Sequence, residues 1–197
     1  MKVVLASGSK QRRDILDLIG IKYDVIKSEM EEESNEKLPD KYVMELSLNK
    51  ASSVLSKLKE KAIVIACDTI IYMDKKYEKP KTKKEAYNNI IKMRGKVTKA
   101  YTGVTIIDMY NNKKISYCDT AELKLRNDIL DEEIKWYVDN EKNILDRCGY
   151  TILGKGIIFV ESVKGDYNTI FGLSASSLIK HLKLLGYSIK DFELQNK

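Results

Sequence analysis

The chain is poor in the residues that build metal centres and covalent staples. It has one histidine, His181, and three cysteines, Cys67, Cys118 and Cys148, among 197 residues. The cysteines are widely spaced, with no Cys-x-x-Cys pair, so no ligand set for a zinc site is present. An odd, sparse set of thiols suits a reducing compartment better than a disulfide framework. Proline occurs twice, and no Pro/Gly linker, internal repeat or low-complexity segment divides the chain. No apolar run approaches the length of a membrane span. The short run at Val3–Ala6 is broken by Ser7 and Gly8, so a signal peptide is not expected either. The expected product is soluble and cytoplasmic.

What is present suits one globular α/β domain covering residues 1–197, large enough for two lobes. The hydrophobic fraction, 43%, supplies an ordinary core. Lysine and arginine number 35 against 29 acidic residues, a net charge of +6. Such an excess is either a solvated lysine-rich surface or a basic cleft that attracts an anion. No stripe of basic and aromatic residues of the kind that binds single strands is visible, so a specific nucleic-acid partner is not expected.

The pattern along the chain alternates strand and helix. Residues 2–6 read as a buried strand and 10–20 as a helix ending at Gly20. Tyr23–Ile26 alternates like a strand, and 27–40 is an acidic loop. Helical spacing runs from Tyr42 to Leu58. Ala62–Cys67 is an unbroken apolar run, as in the centre of an α/β sheet, and Ile70–Met73 continues it. Thr82 and Glu85 form a Thr-x-x-Glu signature that opens a helix to Arg94. Strands are expected at 96–107, 116–125 and 157–160, a turn at 165–168, and helices at 131–139 and 174–185.

The chemistry gathers at strand ends. The first strand runs into Ser7-Gly8-Ser9, then Lys10, Arg12 and Arg13, then the first helix. Free N–H groups and the helix dipole favour an anion there. Arginine adds a planar fork matched to phosphate oxygens. Asp68 and Thr69 end the central strand, where α/β sheets place ligands. Asp68 can orient or deprotonate an attacking water, and with Glu31 or Glu32 it can supply oxygen ligands to a hard cation. Cradle, acidic loop, helix lysine Lys50, strand-end carboxylate and the Lys79-Pro80 loop together suit metal-assisted phosphate-ester hydrolysis.

In order and spacing these elements resemble the Maf family of nucleotide pyrophosphatases, once called septum formation inhibitors. The family's Leu-Ala-Ser-x-Ser-Pro-x-Arg start is similar to Leu5–Arg12. Its acidic pair resembles Glu31-Glu32, and its helical Lys-Ala resembles Lys50-Ala51. Cys67-Asp68-Thr69, Lys79-Pro80 with Glu85-Ala86, Thr102-Gly103, Gly154-Lys155-Gly156, and Gly165-Asp166 through Gly172-Leu173 complete the series. The resemblance spans Val3 to about Leu185.

It implies a mixed central sheet flanked by helices, with two lobes and an active-site cleft between them, as in inosine-triphosphate pyrophosphatases. It implies hydrolysis of a nucleoside triphosphate to the monophosphate and pyrophosphate, with Mg²⁺ or another divalent cation such as Mn²⁺. Asp68 would be the catalytic carboxylate, with Glu32 and Asp68 on the metal. Ser7, Arg12, Arg13, Lys50 and Lys79 would bind phosphates, and the protein would be a homodimer.

The chain also departs from the family pattern. Lys10 replaces the proline, and the arginine pair falls one place late, after Gln11, as in the branch acting on 7-methyl-GTP. The family's mid-chain histidine is absent near Thr98. Leu153 stands where the dTTP/UTP branch carries glutamine, whose amide could help discriminate bases. Asp68-Thr69 and Glu78-Lys79-Pro80 follow the dTTP/UTP branch. Gln11, Thr69 and Leu153 are therefore the candidates for base choice, and dTTP/UTP pyrophosphatase is the leading expectation. The alternatives are a 7-methyl-GTP pyrophosphatase and a non-catalytic nucleotide- or nucleic-acid-binding division regulator.

Overall fold

A computed structural model describes residues 1–29, 34–146 and 154–192. The chain forms a mixed α/β structure around a seven-stranded sheet. In chain order the elements are β1 (Val3–Leu5), α1 (Lys10–Leu18), β2 (Asp24–Val25), α2 (Pro39–Leu55), β3 (Ile63–Tyr72), β4 (Lys76–Tyr77), α3 (Lys83–Met93), β5 (Val97–Asp108), β6 (Lys113–Leu125), α4 (Asp131–Asn140), β7 (Val160–Gly165), α5 (Tyr167–Ile170) and α6 (Ala175–Leu184). The sheet order is β2-β1-β3-β5-β6-β7, with β4 beside β3. β1 pairs in parallel with β2 and β3, while β3–β4 and β6–β7 are antiparallel. Among the described residues no helix is long and apolar enough to cross a membrane.

The chain divides into two compact units. The first comprises residues 1–69, 101–120 and 166–197. Its sheet is covered on both faces. On one face α1 and α6 pack Ile15, Leu16, Leu178 and Leu182 onto Leu5, Ile65, Cys67 and Val104. On the other, α2 packs Ala51 and Val54 onto Val4, Ala6, Val64 and Ala66. The unbroken apolar run of β3 is what two covered faces require. The second unit comprises residues 70–100 and 121–165. There α3 packs against α4, Tyr137 meets Phe159 edge-on at 5.2 Å, and Arg94 Nη1 donates to the Ile129 carbonyl and to Asp131, both at 2.7 Å.

Most elements fall where the periodicity expects them, with three instructive differences. α2 begins at Pro39, earlier than its apolar spacing, because proline needs no N–H partner in a first helical turn. Asp68 and Thr69, expected to end the central strand, lie inside β3, which runs on to Tyr72 and pairs there with the short strand β4. The apolar run Ile157–Val160 is not a strand through Phe159. Residues Gly154–Phe159 form a 3-10 helix, and the strand is the following Val160–Gly165. Ile157 and Ile158 are 57% and 44% exposed, so only Gly156 and Phe159 of this segment face the interior. A short apolar run does not by itself distinguish strand from helical turn.

One close approach sets the position of α2. A Cβ on Gly103 of β5 would lie 2.1 Å from the Val43 carbonyl oxygen, inside the backbone of α2. Only glycine lets this helix sit so low. Above it, the buried Ser47 hydroxyl donates to the Met44 carbonyl at 2.9 Å and meets Thr105 Oγ1 at 2.8 Å. Gly103→Ala is expected to lower stability by about 3 kcal/mol, as backbone must move to admit the methyl. Urea unfolding measures this; a loss under about 0.5 kcal/mol would show that α2 does not depend on the contact.

Candidate active site

Four pieces of the first unit build the site: the β1–α1 turn, Asp68 and Thr69 of β3, one lysine of α2, and the turn before α6. Each is placed by the packing just described. β1 continues past Leu5 with Ala6 N donating to Ile65 O at 2.8 Å, so Ser7 emerges beside the middle of β3. Ser7 Oγ accepts from Ser9 N at 3.2 Å and from Arg12 Nη1 at 3.0 Å. Both lone pairs are used in those bonds, and the hydroxyl's proton is the donor it can offer to an anion. Ser9 does not cap α1; its hydroxyl donates to Gln11 Oε1 at 3.0 Å, and the first turn carries no acidic residue. The N–H groups opening α1 and the helix dipole thus favour negative charge.

Arg12 is held on three sides. Its Nε donates to the Gly172 carbonyl at 3.1 Å, Nη1 to Ser7 and Nη2 to Thr69 Oγ1 at 3.2 Å. Gly172 has a positive φ of 95°. A Cβ there would stand 2.9 Å from both Arg12 Nε and Thr69 Oγ1. The turn therefore needs glycine both for its conformation and for the space Arg12 occupies.

Asp68 lies on the opposite face. Alternation along β3 sends Cys67 into the α1/α6 core and Ala66 towards α2, so Asp68 faces α2 and Thr69 faces α1. Lys50 Nζ meets Asp68 Oδ1 at 2.6 Å, with the two side chains 11% and 8% exposed. A charge-assisted hydrogen bond of this length in a nearly dry setting fixes both groups. Two consecutive strand residues are thus each bound by a cation from a different helix.

Of the residues expected from sequence, the structure joins Ser7, Arg12 and Thr69 in one network and Lys50 and Asp68 in one ion pair. Arg13 is exposed on α1 beside them, and Gln11 is tied to Ser9. Lys10 pairs with Asp14 one turn on, an exposed contact of small energetic consequence. Lys79 is exposed in the second unit, after β4. Glu31, Glu32, Leu153 and Cys148 lie outside the described residues. Among the described residues no three His, Cys, Asp or Glu side chains gather into a metal-binding group. Among the described residues Asp68 offers one carboxylate, the donor type that suits a cation of the magnesium type, which commonly takes one or two carboxylates and completes its shell with water and phosphate oxygens. The roles of Gly172, Thr102 and Thr169 escaped the sequence reading. Their only signal was membership of the Thr-Gly and Gly-Leu motifs.

A second polar group surrounds the start of α6. Ser177 Oγ donates to Asp119 Oδ1 at 2.8 Å, while Asp119 Oδ2 is buried with no hydrogen-bond partner among the described residues. His181 Nδ1 lies 2.8 Å from the Ser177 carbonyl, which has no proton, so the ring carries its proton on Nδ1. The ring stacks on Tyr117 at 3.5 Å. Burial pushes the Asp119 carboxyl above its ordinary value and Asp166 adds to this, against the opposing effects of Ser177, His181 and Lys180. For Asp166, burial raises and hydrogen bonds from Ser174, the Asn168 N–H and Ser176 lower, and the bonds prevail.

Two expectations follow. Lys50→Met alone should cost about 3–5 kcal/mol, because Asp68 is left buried without its cation, and adding Asp68→Leu should restore most of it. Losses that simply add in urea unfolding would contradict the pairing. For Asp119, a folded value above the unfolded one means that its charge opposes folding at neutral pH and ceases to do so in acid. Asp119→Asn should therefore raise Tm at pH 7, with the gain fading as pH falls to the ordinary aspartate range near about 3.9. A gain that stayed constant down to that pH would refute the assignment.

The family described as Maf-like protein matches residues 2–185. A dTTP/UTP pyrophosphatase of Thermoanaerobacter sp. is 42% identical over 184 residues, 93% of this chain and 96% of that protein. Another dTTP/UTP pyrophosphatase, from Clostridium perfringens, is 36% identical over 187 residues, covering 93% and 96%. Among solved structures, the nucleoside-triphosphatase (dITP/XTP pyrophosphatase) of Mycobacterium abscessus has a TM-score of 0.45 at 10% identity, covering 95% of this chain and 99% of that one. With its β1–α1 cradle, its Lys50–Asp68 pair and a match over nearly its whole length, the chain belongs to the Maf family.

Proposed function

We propose that the protein is a nucleoside triphosphate pyrophosphatase that acts on dTTP and UTP. The observation that carries this reading is the clasp on Asp68 and Thr69 of β3. A phosphate-type arginine is held on Ser7, Thr69 and Gly172 in the same unit as a buried carboxylate fixed by lysine. Relatives at 36% and 42% identity bearing the dTTP/UTP pyrophosphatase name support the substrate class.

In this reading the Arg12 fork, the Ser7 proton and the N–H groups opening α1 bind phosphate oxygens, with Arg13 and Lys79 as further cations. Lys50 anchors Asp68 through Oδ1. Oδ2 is then the oxygen that orients a water on the α-phosphorus and takes its proton. The water oxygen bonds to the α-phosphorus, the bond to the α–β bridging oxygen breaks, and pyrophosphate departs with the electron pair. Asp68 and Glu32 would hold a divalent cation, Mg²⁺ or Mn²⁺. When bound, it supplies charge neutralisation for the polyphosphate. Gln11, Thr69 and Leu153 contribute to base choice. The reading covers the chain as one functional domain, in the cytoplasm, as a homodimer without a nucleic-acid or membrane partner.

Pyrophosphate release from a panel of dTTP, UTP, CTP, GTP and 7-methyl-GTP is the test. dTTP and UTP should lead, EDTA should abolish release, and Asp68→Asn should lower kcat by about 100-fold or more. Full turnover by Asp68→Asn would overturn the assigned mechanism. A preference for 7-methyl-GTP would move the protein to the other branch, in line with its Arg12-Arg13 register. Absence of release from every nucleotide would leave a binding protein.

A further inference from the structure

Thr102 belongs to neither the phosphate cradle nor the ion pair, yet its place in the hydrogen-bond network is fully determined. It lies on β5, completely buried, with its hydroxyl 2.8 Å from the Thr169 carbonyl oxygen and 2.9 Å from Thr69 Oγ1. A carbonyl has no proton to give, so Thr102 donates to Thr169. A hydroxyl has a single proton, so towards Thr69 Thr102 can only accept, and Thr69 must donate to it. The proton of Thr69 is thereby used. Towards Arg12 Nη2 it presents lone pairs, which a guanidinium, a pure donor, requires. The order is fixed from end to end: Arg12 to Thr69, Thr69 to Thr102, Thr102 to the Thr169 carbonyl.

We infer that Thr102 is a positioning residue for Arg12. It never meets the substrate. By taking the Thr69 proton it holds the Thr69 oxygen as an acceptor aimed at Nη2, while Ser7 holds Nη1 and Gly172 holds Nε. With one N–H of each nitrogen committed, the remaining N–H of each terminal nitrogen is left in a fixed fork for phosphate oxygens. Without the Thr102 hydroxyl, the Thr69 proton has no assigned acceptor, and Thr69 is free to rotate it towards Arg12. The Thr169 carbonyl is not stranded by the change, because Gly172 N also donates to it, at 3.0 Å. The loss therefore falls on Arg12 rather than on the fold. Chains of this kind also strengthen each member by polarisation in a dry setting.

The inference rests on the anion-binding reading of Arg12, and its test keeps the two apart. Thr102→Val removes the hydroxyl at nearly constant shape, and Thr102→Ser restores it. Two readouts are used: calorimetric binding of inorganic tripolyphosphate, and KM and kcat for dTTP. Thr102→Val should weaken tripolyphosphate binding by about tenfold and raise KM by a similar factor, with kcat changed less. Thr102→Ser should return both to the parent values with an unchanged Tm. In Arg12→Lys, which already lacks the fork, Thr102→Val should cost little more. The proposal is overturned if Thr102→Val binds tripolyphosphate normally, if serine is as poor as valine, if the Arg12 and Thr102 effects add, or if the parent protein binds no tripolyphosphate. If the parent protein binds it and the Val/Ser contrast holds while no nucleotide is hydrolysed, the hydrolase reading fails and the positioning role stands.

Discussion

An ammonium and a carboxylate meet 2.6 Å apart in a nearly dry position on β3, and much of the first unit is arranged around that fact. Removing either charge from water is costly, and the geometry must be close for mutual attraction to offset it. Lys50 can reach Asp68 only because α2 lies low on the sheet. It lies low because Gly103 has no side chain to hold Val43 away. The helix is also set in rotation: Ser47, one turn before Lys50, is buried against Thr105. Apolar packing of Ala51 and Val54 supplies the bulk of the cohesion, while these two contacts decide where along the strand the lysine head arrives.

The two faces of the sheet use the same small device. On the α2 face the Ser47 proton goes to the Met44 carbonyl, so Thr105 must give its proton to Ser47, and Ser116 must give its own to Thr105. On the α1 face the series from Arg12 through Thr69 and Thr102 ends on the Thr169 carbonyl. Each series ends on an acceptor that cannot donate, and this removes the ambiguity hydroxyls otherwise carry. Short hydroxyl side chains in a strand are thereby given a single orientation without a bulky partner. The sheet thus carries one such series on each face, beside Arg12 on the α1 face and beneath α2 on the other.

Much of this was legible in the chain. The apolar run from Ala62 and the Ser-Gly-Ser turn before Arg12 carry local signals, namely burial on both faces and a strand–turn–helix start that favours an anion. Asp68 stood out because polar residues at the end of a buried strand need a reason to be there. Other features had no local signature. Ile157-Ile158 looked like strand, but their exposure is decided by which side of a 3-10 turn faces the interior, a tertiary matter. Thr102 and Thr169 are ordinary strand and helix residues until the chain brings positions separated by 67 residues into hydrogen-bond contact. Propensity and periodicity describe neighbours in sequence, and the proton order of the Arg12 network is a property of neighbours in space.

The pleat of β3 has a consequence for which sequences this site can tolerate. Asp68 and Thr69 are adjacent in the chain yet serve opposite faces, so their order carries information that their composition does not. Exchanging them to Thr-Asp would keep every atom type and the same charge. It would nevertheless set a hydroxyl before the buried Lys50 and a carboxylate against Thr102, whose only proton is already given to Thr169. One face would lose the carboxylate that meets Lys50, and the other would set a carboxylate on Arg12, occupying the guanidinium with an internal anion. The dipeptide therefore behaves as a handed element, and a single-residue slip in β3 would have the same effect as the exchange. Divergence around this dipeptide can proceed by changing what surrounds the pair, but not by reversing it.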